Sequence, residues 1–223
     1  LRDGTEVIFL TMELLRGMTL AEYRSGGGRL TTREVLPLGL QIVAGLRAVH
    51  EAGIIYRDLK PGNLMLVRER GASSVAPPRV VITDFGLARR DGFVEERLTG
   101  VGQALGTPLY MAPEQVTSGV EPLTFATDVY ALGTVLYELI TNQAPFQGSS
   151  MTVMKLKCHK ERPPSPRMSV PDLDPRWESM IMRCLERLPA RRFQNARVVE
   201  AALVECAAVP GIVPMGIVPS LMT

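Results

Sequence analysis

The chain has 223 residues, 46% hydrophobic and 22% charged, which is enough apolar material for one full-sized globular domain and too little for two large ones. That balance excludes a disordered or collagen-like chain. With 25 Lys and Arg against 23 Asp and Glu, the formal charge is +2 and no dense basic block is present, which disfavours a generic nucleic-acid or membrane-surface role.

The chain opens with Leu1 and lacks the charged, apolar and small-residue zones of an export signal, so it reads as a fragment. Val7 to Met12 is β-branched and apolar after the turn-prone Asp3-Gly4, which predicts a strand. Thr31 with Glu34 three residues on forms a capping box. Val35, Leu38, Ile42, Leu46 and Val49 then recur at helical spacing until Gly53 ends the pattern. Short apolar runs follow as predicted strands at Ile54 to Ile55, Leu64 to Val67 and Val80 to Thr83, with a polar loop from Arg68 to Arg79. Ala126 to Ile140 predicts a helix that is apolar around most of its circumference and therefore central. Asp174-Pro175 supplies a cap and a first-position proline for a helix bearing Trp177, Ile181, Cys184 and Leu185, and a last helix is predicted from about Ala196 to Cys206.

The end of the chain, interrupted by Pro210, Pro214 and Pro219, reads as a tail or as the lead-in to a membrane segment further on. Cys158, Cys184 and Cys206 form an odd set with no C-x-x-C pair, which argues against a disulfide framework or a zinc site and for a reducing compartment. His50 and His159, the only histidines, read as structural.

The chemistry concentrates in Tyr56-Arg57-Asp58-Leu59-Lys60-Pro61-Gly62-Asn63, then Asp84-Phe85-Gly86, then Ala112-Pro113-Glu114. Singly these are an aspartate after a strand, a turn and a glycine bend. In this order, from about Val7 to Cys206, they resemble a serine/threonine protein kinase of the bacterial eukaryotic-like branch. The resemblance implies an α+β fold in which 1–12 is a remnant of the kinase N-lobe, 13–17 the hinge, 18–206 the mainly helical C-lobe and 207–223 a Pro-rich tail or linker.

The same resemblance implies transfer of the γ-phosphate of ATP to Ser or Thr hydroxyls of protein substrates, with Mg2+ as cofactor, no nucleic-acid partner and a cytoplasmic setting. Asp58 is then the carboxylate that accepts or orients the hydroxyl proton, and Lys60 sits near the transferred phosphate. Asn63 and Asp84 are the magnesium ligands, which suits a hard cation that prefers oxygen donors. Met12 at the gatekeeper position, Glu13 and Leu15 in the hinge and Met65 under the ring form the adenine pocket.

Three further residues carry a structural role by the same likeness. Asp128 is the group that fixes the catalytic loop through its backbone, and Glu114 with Arg192 forms a buried ion pair. Tyr56 stands where most kinases have histidine and fills the same core slot. Lys60 and the stretch from Gly106 to Met111 favour the serine/threonine class, with Thr107 close to Asp58 and Lys60. The family's Gly-rich loop, strand lysine and partner glutamate normally lie in the part that would precede residue 1, so the segment by itself is expected to be inactive. The alternative is a pseudokinase-like protein-binding module.

Thr99 and Thr107 are the only Ser or Thr residues between Asp84 and Glu114. Thr99 is therefore the candidate for an activating phosphate, with Arg57 as its partner. Mass spectrometry of active enzyme is expected to find a phosphate at Thr99 and the Thr99→Ala variant to be impaired; an unmodified Thr99 or full activity in the variant refutes this.

Overall fold

The computed structural model describes residues 13–68, 77–84, 108–117, 121–159 and 162–207. The strand predicted at Val7 to Met12, the Phe85-Gly86 end of the second motif, Thr99, Thr107 and the tail beyond Ala207 lie outside these residues.

A short strand β1 (Gly17–Thr19) leads directly into α1 (Leu20–Ser25), where Thr19 and Glu22 make a reciprocal capping box. The long helix α2 (Thr32–Glu51) begins at the predicted Thr31 and Glu34 box. It ends in a Schellman turn: Gly53 adopts φ 75°, its N–H donates to His50, and the Ile54 N–H donates to Val49. This ending corrects one expectation. Ile54 to Ile55 is not a strand, because the Ile54 amide is spent on the helix cap and the Tyr56 amide on the Asp128 carboxylate.

Strands β2 (Leu64–Val67) and β3 (Arg79–Ile82) form an antiparallel pair, and β1 adds to the other edge of β2, giving the order β1-β2-β3. Leu64 and Leu66 face the core, while Met65 and Val67 face the opposite side, as the two-residue period of a strand requires.

The remaining helices are α3 (Pro113–Val116), α4 (Phe125–Thr141), α5 (Ser150–Cys158), α6 (Pro175–Cys184) and α7 (Ala196–Ala207). Helix α4 is buried at every position except Phe125 and Glu138, so it is the axis of the domain, and α2, α6 and α7 pack against it. Asp174 caps α6 by accepting from the Arg176 N–H at 2.8 Å, with Pro175 at the first helical position. Helices α4 and α6 approach closely at Gly133, where a Cβ atom would lie 2.5 Å from Cys184 Cβ.

Glu114 and Arg192, 78 residues apart, meet in the core with relative exposures of 3% and 1%. Arg192 donates to both Glu114 oxygens at 2.7 and 2.8 Å, and its other hydrogens reach the carbonyls of Ala126, Glu186 and Arg187. Glu114 also accepts from Thr127 Oγ1. Every guanidinium N–H is thus used. Removing one partner of such a pair costs about 3–5 kcal/mol, because the other charge is left buried and uncompensated.

Gly133→Ala forces α4 and α6 apart at their closest point, and the overpacking is expected to cost about 1–3 kcal/mol in urea denaturation. An unchanged midpoint would mean that the two helices separate without penalty.

Candidate active site

The segment from Tyr56 to Asn63 is anchored from the core side by one carboxylate. Asp128, in the first turn of α4 and 1% exposed, accepts the Tyr56 N–H on Oδ2 at 2.8 Å and the Arg57 N–H on Oδ1 at 2.7 Å. His50, near the end of α2, lies 3.0 Å from Asp128 Oδ2 through Nε2, and its Nδ1 accepts the Ala196 N–H of α7 at 3.2 Å. A backbone N–H can only donate, so Nδ1 is the acceptor and the ring proton belongs on Nε2, pointing at Asp128. Phe125 stacks on the imidazole with centroids 4.5 Å apart. Asp128 therefore ties α2, α4, α7 and the loop into one buried knot.

Two consecutive amides held by one carboxylate impose a sharp turn, and Arg57 takes φ 69°. Asp84 has φ 56°. Only one other described non-glycine residue, Asn142, has positive φ, and it is a helix C-cap where that geometry is ordinary. The two remaining cases both fall at motif residues, which is where backbone strain tends to be kept when it serves a site.

Beyond Arg57, the chain brings Asp58, Lys60 and Asn63 together. Lys60 Nζ lies 2.9 Å from Asp58 Oδ2, and Asn63 Nδ2 donates to the Asp58 carbonyl at 2.9 Å and to Oδ2 at 3.1 Å. A one-turn 3-10 segment, Pro61–Asn63, makes this possible by curling Asn63 back over Asp58. Asn63 is 5% exposed, whereas the Asp58 and Lys60 side chains keep 29% and 34%, so the pair is supported from below and reachable from outside.

The second strand pair brings in Asp84. Thr83 donates its N–H to the Asn63 carbonyl at 2.9 Å and its hydroxyl to the same oxygen, and the Tyr56 hydroxyl donates to the Thr83 carbonyl. Asp84 follows immediately. Burial pushes the Tyr56 hydroxyl well above the usual phenol range, and the negative charges of Asp58, Asp84 and Asp128 add to it. Tyr56 is thus the buried crossbar between the two motifs, and it donates without ionising.

The Asn63 amide nitrogen is committed to Asp58, so a cation held by Asn63 must meet its Oδ1. Asn63 Oδ1 and the Asp84 carboxylate are both hard oxygen donors, the kind that a magnesium ion prefers. Met65 lies on the face of β2 turned away from the core, opposite Val81 on β3. Glu13 is exposed and Leu15 half-buried in the irregular stretch before β1, and Met12 lies outside the described residues. Among the described residues, Cys158, Cys184 and Cys206 are free thiols, and burial pushes Cys184 up to about 12 and Cys206 up to about 11, which keeps those two protonated and unreactive. Among those residues no helix is long and apolar enough to cross a membrane.

Residues 2–204 match the family model of the protein kinase domain. The chain belongs to the protein kinase family.

PrkC of Bacillus subtilis, a serine/threonine-protein kinase, is 32% identical over 201 residues, covering 90% of this chain and 29% of that protein. The serine/threonine-protein kinase pkn3 of Myxococcus xanthus is 35% identical over 205 residues, or 90% of this chain and 36% of that protein. Crystal structures of two variants of the Mycobacterium tuberculosis PknI kinase domain align with TM-score 0.64 at 22% and 23% identity. They cover 87% and 88% of this chain and 64% of each of those chains, and they establish the kinase fold. The chain spans between 27% and 36% of the length of curated relatives it matches.

Two supporting residues of this candidate site are not evident from sequence. His50 falls four residues after Leu46 on the apolar stripe of α2, and a polar group on such a stripe signals a satisfied core partner but does not name it. Gln115 of α3 donates to the Arg57 carbonyl at 2.9 Å, tying the Ala112-Pro113-Glu114 motif to the loop, and nothing in its local sequence marks it.

Asp128→Asn puts an NH2 group where one of three donors now finds an oxygen. It is expected to lower the unfolding free energy by about 1–3 kcal/mol and to speed hydrogen exchange at the Tyr56 and Arg57 amides. Unchanged exchange at those two amides would show that the loop holds its turn without the carboxylate.

Proposed function

We propose that this chain is the catalytic portion of a serine/threonine protein kinase that transfers the γ-phosphate of ATP to Ser or Thr hydroxyls of protein substrates. The observation that carries this reading is the convergence of Lys60 and Asn63 on Asp58, each within 3.1 Å of it, with Asp84 one residue beyond the hydrogen bonds that join Thr83 to Asn63. The similarity to PrkC and pkn3, both serine/threonine-protein kinases, supports it. A binding module without catalysis has no physical need for this arrangement.

In this reading Asp58 orients the acceptor hydroxyl and takes its proton as the hydroxyl oxygen bonds to the γ-phosphorus and the bridging bond to the β-phosphate breaks. Asn63 keeps the Asp58 carboxylate in place by its two amide contacts, and Lys60 offers its remaining N–H donors to the transferred phosphate. Asn63 Oδ1 and the Asp84 carboxylate hold Mg2+, which when bound neutralises charge on the phosphate oxygens. The purine is assigned to the outer face of β2 at Met65, an apolar floor, with main-chain donors and acceptors from the Glu13 to Leu15 stretch; Met12, the gatekeeper by the family likeness, lies outside the described residues.

The test is phosphate incorporation into a Ser/Thr-containing protein by the full gene product with ATP and Mg2+. Asp58→Asn is expected to lower the rate about 10²–10⁴-fold, and Asp84→Asn to raise the Mg2+ concentration needed for half-maximal rate. No incorporation by the wild-type protein, or equal rates for wild type and Asp58→Asn, would overturn the assignment.

A further inference from the structure

Lys157, in the last turn of α5, is 1% exposed, which is unusual for a lysine, and it has no carboxylate within salt-bridge distance among the described residues. Its Nζ instead donates to three backbone carbonyls, Pro108 at 2.8 Å, Leu109 at 2.6 Å and Met111 at 2.6 Å. An ammonium has three N–H donors, so the charge is fully solvated by one four-residue stretch of main chain. Val153, one turn earlier, is buried beside it, and the rest of α5 is largely at the surface.

The stretch that Lys157 holds leads straight into α3, whose Gln115 donates to the Arg57 carbonyl next to Asp58. The Tyr110 hydroxyl is tied at the same time to Glu138 of α4 at 2.6 Å, and Glu138 pairs with Arg24 of α1. The stretch is thus fastened to α4 and α5, while Leu109, Tyr110 and Met111 remain partly exposed. Nothing but the Lys157 ammonium holds the carbonyls of Pro108, Leu109 and Met111 among the described contacts.

We propose that Lys157 is a positioning residue for the acceptor peptide, fixing the 108–111 main chain, and through α3 and Gln115 its register against Asp58, so that this stretch forms a rigid shelf for the polypeptide that carries the acceptor hydroxyl. The proposal rests on the kinase reading for its substrate, and on geometry alone for the clamp.

Titration gives the clamp a signature. Burial pushes the Lys157 ammonium from its ordinary 10.5 down to about 7, and the nearby Arg192 guanidinium acts in the same direction, while Cys158 and Glu114 oppose it. The same cation faces the Tyr130 ring of α4 at 5.1 Å, with Arg192 over that ring at 4.9 Å. These are the charged and titratable groups around it from α3, α4, α5 and the segment before α7. Between about 7 and 10.5 the folded chain binds fewer protons here than the unfolded chain, so this group makes global stability rise with pH over that window. Local order at 108–111 moves the other way, since the neutral amine has only two donors for three carbonyls. A lysine that served the core alone would not separate the two.

The experiment uses the full gene product. In Lys157→Met, amide exchange at Leu109, Tyr110 and Met111 is expected to speed about 10-fold relative to α4, and the peptide KM to rise about 10-fold with the ATP KM unchanged. In the wild type, raising the pH from about 6 to about 9 should erode protection at those amides relative to α4, after correction for intrinsic exchange. Protection at 109–111 that is unaltered in the variant, or that keeps a constant ratio to α4 across the pH range in the wild type, overturns the clamp. Peptide and ATP KM rising together overturns the acceptor role. The wild-type measurement decides the clamp even where Lys157→Met does not fold. A wild-type protein that phosphorylates nothing removes the kinase reading and leaves the exchange result standing, so the two failures are distinguishable.

Discussion

The Asp128 carboxylate is the constraint on which the rest of the site depends. One buried side chain sets the direction of two consecutive peptide units, and through them the left-handed turn at Arg57 that turns the next residue, Asp58, outward. Such a turn is costly for a residue with a Cβ and persists only where its surroundings over-determine it. Asp128 provides that over-determination and is itself held by His50, whose other nitrogen is occupied by the start of α7. The loop geometry is thus set by helices that contribute no chemistry of their own.

A second constraint follows from how the core carries its charges. Glu114 with Arg192 is a bidentate pair in which each guanidinium hydrogen has a partner, and Lys157 is solvated entirely by carbonyls. Hydrophobic replacements of similar volume could fill the same space at no loss of stability. What they could not do is hold particular main-chain atoms at fixed places: the carbonyls of Ala126, Glu186 and Arg187 in one case, those of Pro108, Leu109 and Met111 in the other. Both clusters meet at Tyr130, whose ring centroid is 5.1 Å from the Lys157 ammonium and 4.9 Å from the Arg192 guanidinium, so α3, α4 and α5 are indexed against one another.

How much of this was legible in the sequence depended on whether the signal was local. Thr31 with Glu34 and Asp174 with Pro175 encode their helix starts within four residues, and both starts are where the pattern put them. The all-round apolar character of α4 predicted its central place. The box at Thr19 and Glu22 obeys the same rule, but α1 is only six residues long and offers too little periodicity to be noticed. Ile54 and Ile55 look like a strand because β-branched pairs usually are; only the three-dimensional path shows that their neighbourhood spends its amides on a helix cap and a distant carboxylate. The motif residues were read by resemblance, and the structure adds their contacts. Lys157 had no sequence signal, since a lysine near a helix C-terminus ordinarily faces water and favours the helix dipole.

The separation between support and chemistry has a consequence for how substitutions read out. Asp128, His50, Glu114 and Arg192 are buried below 7% exposure, and their loss acts through folding and through the position of what they hold. Asp58 and Lys60 are roughly one-third exposed, and an exposed ion pair of this kind contributes only about 0–1 kcal/mol to stability. Replacing either should therefore leave the fold intact while removing a group that the proposed kinase reading places in the reaction. Asn63 sits between these classes: it is buried, it is bonded to Asp58, and its remaining oxygen is the one assigned to the metal. A substitution there changes the carboxylate's position and the cation's ligand at once. Its effect on rate should exceed what either contact alone accounts for, because the two are joined through a single planar amide.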